Sequence, residues 1–444
     1  MTYLARGVQG IAPELLTPAP TLDDLEGVSV LEGPPTMADE LLLEGVLAPA
    51  GLRPARRDLE EPGLEEIAAT AGLASVEIVE WRDLEHPEAG GSEVHAARIA
   101  QRWARAGIDV VVHASRAPGA QPQASYDGYR VLRPAGRYTV FPAVAAQALS
   151  RRRVQPDGVV EVWNGMPFLS PLWSRGPRTV FIHHVHDGMW DLVLPAPLAR
   201  LGKAMERWMA PPLYRGTPVV TLSESSRHAI VDLLRFSPSQ VTVVPPGIDE
   251  RFSPGPGRSP RPLVVAVGRL VGYKRFDLLV DVLVRLRERV PDLAAVIAGE
   301  GSEQAALQAR IDRYGASSWL QLAGRVPDGA LIELYRSAWV LASTSAFEGW
   351  GMTITEAAAC ATPAVVSRIP GHIDAVRHGR SGLLTDSAAQ MEDGLASVLL
   401  DADLRRRLGR GAEERAGELT WDRTAAATLR VLAGDALRRR RARG

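Results

Sequence analysis

The sequence predicts an α/β chain of two doubly wound domains that face each other across a cleft, preceded by an N-terminal extension of different character. Three observations carry that reading. A strand–loop–helix rhythm runs from about residue 75, the composition collapses to turn formers at Ser253-Pro-Gly-Pro-Gly-Arg-Ser-Pro-Arg-Pro262, and the rhythm then restarts. Alternating strands and helices imply parallel sheets covered on both faces. Two such blocks put ligands at the C-terminal ends of the strands and in the cleft between them. A chain of 444 residues is also long enough for two or three domains.

Residues 1–74 carry turn-forming stretches around Pro18 and Pro34, acidic pairs at Asp23-Asp24 and Glu60-Glu61, and no clear strand. They read as a partly helical or disordered extension. The first domain, 75–253, opens with the strand VEIVEW (76–81), a Gly-Gly-Ser-Glu turn, and a helix on which Val94, Ala97, Ala100 and Ala104 fall at helical spacing. Further strands are expected at 108–114, 157–163, 178–184 and 217–223, the last followed by a helix that Ser223 caps. A linker spans 254–261. The second domain, 262–418, places strands at 263–270, 294–301, 319–324, 339–344 and 362–367, with Phe276, Leu279, Val280, Leu283 and Leu286 on one face of its first helix. A helix over 419–437 and a basic tail over 438–444 close the chain.

Composition narrows the function. A net charge of −1 gives no overall field toward nucleic acid or an anionic membrane, so no nucleic-acid partner is expected. The single cysteine, Cys360, excludes an internal disulfide and a thiolate cluster and fits a reduced, cytoplasmic setting. The first residues do not pattern as a signal peptide, and no window is apolar enough for a membrane span. Only two lysines occur, Lys203 and Lys274, against 49 arginines, so each lysine asks for a reason.

The strongest chemical signal is Phe347-Glu348-Gly-Trp-Gly-Met-Thr-Ile-Thr-Glu356, where a strand ends, a glycine loop turns and a helix begins near Met352. Glycines let backbone approach a ligand, and free N–H groups at a helix start favour an anion such as a pyrophosphate. A carboxylate on the loop and another in the first helical turns can then hold sugar and ribose hydroxyls. The second signal is Gly268-Arg269-Leu-Val-Gly-Tyr-Lys274-Arg-Phe-Asp, again at a strand-to-helix junction. Two cations across a short loop can reach a diphosphate, whose charge grows as a glycosidic bond breaks and must be met by fixed cations and dipoles. Lysine supplies a compact point charge there, where arginine imposes a flat fork.

With these residues in place, the segment from Val244 to Asp386 resembles the retaining glycosyltransferases of family 4, which have the two-domain GT-B fold of facing Rossmann-like units. The matching pieces are VPPGID (244–249), VGRLVGYKRFD (267–277), VIAGEGSE (296–303), FEGWGMTITEAAACATPAVVS (347–367) and SGLLTD (381–386), and 81–114 looks like the family's opening glycine loop and helix. The resemblance covers about 75–433. It implies that Arg269 and Lys274 bind donor phosphates, that Glu348 holds sugar hydroxyls near the reacting carbon, and that Glu356 binds the ribose. It also implies that backbone at Gly349, Gly351, Met352 and Thr353 faces the phosphates, that the loops at Gly299–Gly301 and at Arg325 and Val326 lie near the base, and that no metal or other cofactor takes part. Trp350 stands where the family commonly has a smaller or phenyl-type residue, leaving the shape of the sugar pocket open.

The first domain should supply the acceptor site. Gly90 and Gly91 would let backbone approach the donor phosphate or the acceptor, with Ser92 capping the next helix. His183, His184 and His186 cluster at a strand end. Their spacing could bind a metal or pack structurally, but the resemblance implies a histidine near the reacting sugar, filled by His184 or His186. Asn164-Gly165 ends another strand and reads as a turn. Gly299-x-Gly301 lacks the third glycine and the following acid of a dinucleotide fingerprint, so a nicotinamide cofactor is not expected. The tail Arg438–Arg441 with Arg443 offers a peripheral contact with the inner membrane face or a solvated terminus. The reading is a hexosyltransferase moving sugar from a nucleotide diphosphate donor to a small-molecule, glycan or lipid acceptor. A glycoside hydrolase would share paired carboxylates without needing the cation pair, and a silent nucleotide-sugar sensor would share the fold.

Overall fold

The computed structural model describes residues 62–150, 155–193 and 195–443. The extension expected over 1–74 therefore lies outside the described residues up to position 61. Its last part does not behave as an appendage. Helix Leu64–Ala71 buries Ile67, Ala68 and Ala71, and Leu73 follows them into the core of the first domain. The boundary drawn at residue 75 thus divides a packed unit, because this helix lies against the last helix of the chain.

The first domain holds eight strands: β1 (Ser75–Val79), β2 (Asp109–Ser115), β3 (Gln123–Tyr126), β4 (Tyr129–Ala135), β5 (Gly158–Val162), β6 (Arg178–Phe181), β7 (Val219–Thr221) and β8 (Val241–Val243). Their order is β3-β4-β2-β1-β5-β6-β7-β8. All pairings are parallel except β3 with β4. β5 is buried along its whole length, as a strand covered on both faces must be. Its one acid, Glu161, accepts bonds from Phe168 N (2.6 Å), Ser170 N (3.1 Å) and Tyr214 Oη (2.7 Å), which fixes the loop after it.

The second domain is a six-stranded, all-parallel sheet: β9 (Leu263–Val267), β10 (Ala294–Ala298), β11 (Leu320–Gly324), β12 (Val340–Ser343), β13 (Ala364–Ser367) and β14 (Gly382–Thr385), ordered β11-β10-β9-β12-β13-β14. The order reverses between β9 and β12. At such a switch point the loops leaving the two strands diverge to opposite faces and open a crevice at their C-terminal ends. The two strongest sequence signals sit on those two loops.

The linker is anchored to the second domain. Arg258 bonds Thr362 Oγ1 (2.8 Å) and Ala361 O (2.5 Å), and burial pushes its guanidinium down to about 10. Helix Trp421–Arg441 is capped by Thr420 and returns to the first domain. There Trp103 Nε1 donates to Ala425 O (3.1 Å) and Arg178 N to Asp435 Oδ2 (2.9 Å). The expected end at 437 is a turn short. Buried Asp435 holds Arg438 and Arg439, so the basic run continues the helix to Arg441.

Candidate functional site

At the switch point the loop after β9 folds into a short 3-10 turn, Gly272–Lys274, before helix Phe276–Arg289. It is knitted to the loop after β12, with Ala346 N donating to Tyr273 O (2.8 Å) and Thr344 Oγ1 to Arg275 O (2.7 Å). That knitting brings Lys274 and Glu348 together although 74 residues separate them. Lys274 Nζ pairs with Glu348 Oε1, which also accepts from Ser345 Oγ (3.0 Å), and both side chains remain slightly open at 18% and 17% exposure. Burial pushes the Glu348 carboxyl up, but Lys274, His372 and Ser345 together hold the group below the ordinary glutamate range. Arg269 donates to Tyr273 Oη (2.6 Å) and has no carboxylate partner among the described residues.

Helix Met352–Ala359 starts at Gly351, whose φ of 96° suits glycine. Its first N–H groups, at Met352 and Thr353, have no carbonyl within the helix. A side-chain atom on Gly349 would stand 2.8 Å from His183 O, so this loop meets the first domain across the cleft at backbone distance. Trp350 is 2% exposed and packs in the core beneath Arg415.

Glu356, on the second turn of that helix, accepts from the buried phenol of Tyr335 (3.0 Å). Burial raises its carboxyl to about 7, against the lowering by that hydrogen bond and helped by Asp328 and Asp249. Gly299 and Gly301 lie where β10 passes the Arg269 loop: Gly268 N donates to Ala298 O (3.0 Å) and Leu270 N to Glu300 O (2.8 Å). A side chain at either glycine would overlap the carbonyls of Gly268 or Leu270, so close backbone packing accounts for both without a ligand. After β11, Arg325 is exposed and Val326 half-buried against the core.

From the first domain, Gly90 N donates to Glu93 Oε2 (2.7 Å), and the helix begins at Gly91. Ser92 is therefore inside the helix and not its cap; its Oγ accepts from Asn164 Nδ2 (3.3 Å). Glu93, anchored by buried Arg82, takes the capping role. A side chain on Gly90 would approach Arg269 Nε to 3.8 Å and one on Gly91 would meet Met352 Sδ at 3.1 Å, so these glycines face the loops that carry Arg269 and Met352.

The three histidines separate by environment. His183 is buried, its Nε2 3.2 Å from His95 Nδ1, and burial pushes its ring down to about 3. His186 has both ring nitrogens engaged, Nδ1 with Glu206 (3.3 Å) and Nε2 with Asn164 Oδ1 (3.0 Å). His184 stacks on His186 at 4.4 Å, borders Gly349, and keeps a buried Nε2 without a protein partner. Burial, then the neighbouring His186, Lys274 and Arg269, hold its ring well below the ordinary histidine range, so it is neutral. The triplet does not converge on one point, and no group of three His, Cys, Asp or Glu among the described residues is arranged to hold a metal ion.

Two features were not anticipated. His372 is buried, bonds Ser367 O through Nδ1 (2.9 Å), and leaves Nε2 unpartnered near Glu348 and Gly351. Asp374 reaches across the cleft to the start of helix Glu224–Leu234, taking Glu224 N (3.1 Å) and Ser225 Oγ (2.5 Å), while Ser223 Oγ donates to Gly349 O (3.2 Å). The cluster of serines at 223, 225 and 226 was the available signal, but a partner 149 residues away is not visible in it.

Residues 248–415 match the family described as Glycosyl transferases group 1, and residues 89–252 match Glycosyltransferase Family 4. The D-inositol 3-phosphate glycosyltransferase of Stackebrandtia nassauensis is 30% identical over 409 residues, covering 80% of this chain and 90% of that protein. A GDP-mannose-dependent alpha-(1-6)-phosphatidylinositol monomannoside mannosyltransferase of Mycobacterium tuberculosis is 28% identical over 379 residues, covering 78% and 91%. Among solved structures, sucrose-phosphate synthase from Thermosynechococcus elongatus superposes with a TM-score of 0.69 at 18% identity, over 83% of this chain and 100% of that one. Anabaena HepE in complex with UDP-glucose gives 0.63 at 18% identity, over 80% and 99%. The two facing sheets are the GT-B architecture. The chain belongs to glycosyltransferase family 4.

Proposed function

We propose that this glycosyltransferase moves a hexose-type sugar from a nucleotide diphosphate sugar to an acceptor hydroxyl with retention at the reacting carbon. The observation that carries the reading is the Lys274–Glu348 pair at the switch point, beside Arg269 and the start of helix Met352–Ala359. In this reading the donor diphosphate lies over Arg269, Lys274 and the N–H groups of Met352 and Thr353, and Glu348 accepts hydroxyls of the sugar. Glu356 accepts the ribose hydroxyls. His184, neutral and with a free ring nitrogen, faces the sugar, while His186 is committed to Glu206 and Asn164.

The bond from the reacting carbon to the phosphate oxygen breaks with its electron pair going to the phosphate. The acceptor oxygen bonds that carbon on the same face, and its proton passes to the leaving phosphate. Fixed cations and dipoles stabilise the departing charge, so the reading assigns no role to a metal ion. The relatives' names support GDP- or UDP-linked hexoses as donors and an inositol phosphate or a phosphatidylinositol glycolipid as acceptor. The enzyme acts in the cytoplasm, at the inner membrane face when the acceptor is a lipid.

A panel of nucleotide sugars scored by thermal shift tests the donor assignment: one donor raises the melting temperature, and stabilisation by none defeats the proposal. The anomeric configuration of the product, read by proton NMR, tests retention, and an inverted linkage refutes it.

A further inference from the structure

The chain distributes its exposed apolar side chains unevenly. Leu198, Leu201, Trp208, Met209 and Leu213 are between 40% and 66% exposed and lie within one short stretch of the first domain. That stretch is helix Ala196–Ala204, the π-turn Met205–Met209 and the 3-10 turn Pro211–Tyr214. Its inward positions, Ala199, Gly202, Glu206, Ala210 and Tyr214, are buried at helical spacing, so the larger apolar residues on the outside are not needed for the core. Leu172, 63% exposed, sits on helix Ser170–Trp173, which packs against the 3-10 turn.

The surroundings are basic. From Ala196 to Arg215 the chain has Arg200, Lys203, Arg207 and Arg215 against one acid, Glu206, which is buried and bonded to Trp190 and His186. Lys203 pairs with Asp191 and Arg207 with Asp187, whereas Arg200, Arg215 and nearby Arg235 have no carboxylate partner among the described residues. Arg207, Arg215 and Arg235 line, with Trp208, a shallow pocket of about 180 Å³. The arginine-rich end of the chain reaches the same margin: Arg438 donates to Gly216 O (2.7 Å) and Arg443 to Arg175 O (3.4 Å).

We propose that this face docks on an anionic lipid bilayer, with Trp208, Met209, Leu198, Leu201 and Leu213 entering the interface and the arginines binding lipid phosphates. Exposed tryptophan beside aliphatic residues and flanking cations suits the boundary between headgroups and acyl chains. Arginine matches phosphate oxygens with two parallel bonds. A second copy of the chain would bring like-charged segments together, which disfavours self-association as the occupant. The whole-chain charge of −1 means that attraction must come from this local face. No helix among the described residues is long and apolar enough to cross a membrane, so the contact is one of adsorption. The face also adjoins the acceptor side of the cleft. Gly202 packs on Trp190, which touches Gly165 and shares Glu206 with His186.

The test is flotation of the full chain with vesicles of phosphatidylcholine alone and of phosphatidylcholine mixed with phosphatidylglycerol. Wild type should float with the mixed vesicles only, and raised salt should release it. Leu201→Ser with Trp208→Ser, and separately Arg215→Glu with Arg235→Glu, should each weaken binding on the order of tenfold or more while keeping the wild-type melting temperature. No flotation of wild type, equal flotation with neutral vesicles, or undiminished flotation of both variants would overturn the proposal. So would a wild-type dimer in light scattering that Trp208→Ser dissolves, since the face would then be covered by a second copy. None of these readouts uses the transfer reaction, so failure here is distinct from failure of the donor assignment.

Discussion

If Glu356 binds the donor as proposed, donor affinity depends on pH in a way that can be calculated. Its carboxyl is raised to about 7 by burial against the opposing bond from Tyr335. In the proposed role the ionised form accepts two ribose hydroxyls, and the protonated form cannot accept both equally. With a midpoint near 7, roughly a tenth of the protein is competent at pH 6 and nine-tenths at pH 8, so donor affinity should rise about tenfold across that interval. Calorimetric titration with UDP-glucose and GDP-mannose is the assay, because a nucleotide sugar lacks the terminal phosphate that titrates near pH 6. Stability moves the other way. A carboxyl raised in the fold stabilises below the ordinary glutamate value, and that contribution is lost as pH rises from 4.5 through about 7. The loss is about 3 kcal/mol at most. Glu356→Gln should therefore melt several degrees higher than wild type at pH 8 while binding donor weakly and without pH dependence. A wild-type affinity that is flat from pH 6 to 8, or a Gln variant with the wild-type slope, would refute the reasoning.

Three further outcomes follow from the same geometry. Gly349→Ala puts a methyl 2.8 Å from His183 O, so the cleft should sit more open in small-angle scattering, and turnover should fall on the order of tenfold with little change in melting temperature. Asp374→Ala removes a helix cap supplied from across the cleft; it should cost about 1 kcal/mol and raise the donor KM, and an unchanged KM would show that the cap does not hold the domains together. His184→Ala should lower kcat on the order of a hundredfold by removing a fixed polar group beside the sugar in a stable protein, whereas His186→Ala should mainly lower the melting temperature by leaving Glu206 with fewer partners; the reverse pattern would exchange their roles.

The sequence carried the sheet rhythm because the strands are covered on both faces and read as short apolar runs. It missed the hairpin of β3 and β4 although the turn, Asp127-Gly128, has positive φ at both residues and is a good hairpin signal. β3 is only half-buried, so it lacks an apolar run to notice. Helix Leu64–Ala71 passed for part of an appendage because its partner is the last helix, more than 350 residues later. At the site, the loop glycines and the two glutamates were legible because their spacing is local. Who meets whom was not. The Lys274–Glu348 pair, the Tyr335–Glu356 bond and the Asp374 cap join distant segments, and the choice between His184 and His186 turns on Glu206, which belongs to a π-turn that no periodicity announces. The burial of Trp350 in the core and the close backbone packing at Gly299 and Gly301 were likewise not visible in local spacing.

The central claim is that Lys274 and Glu348 together serve a nucleotide diphosphate sugar. Release of nucleotide diphosphate from the preferred donor, measured side by side in wild type, Lys274→Ala and Glu348→Gln, tests it most directly. Release should fall on the order of a hundredfold to a thousandfold in both variants with the fold intact by circular dichroism. Wild-type release in both folded variants would contradict it.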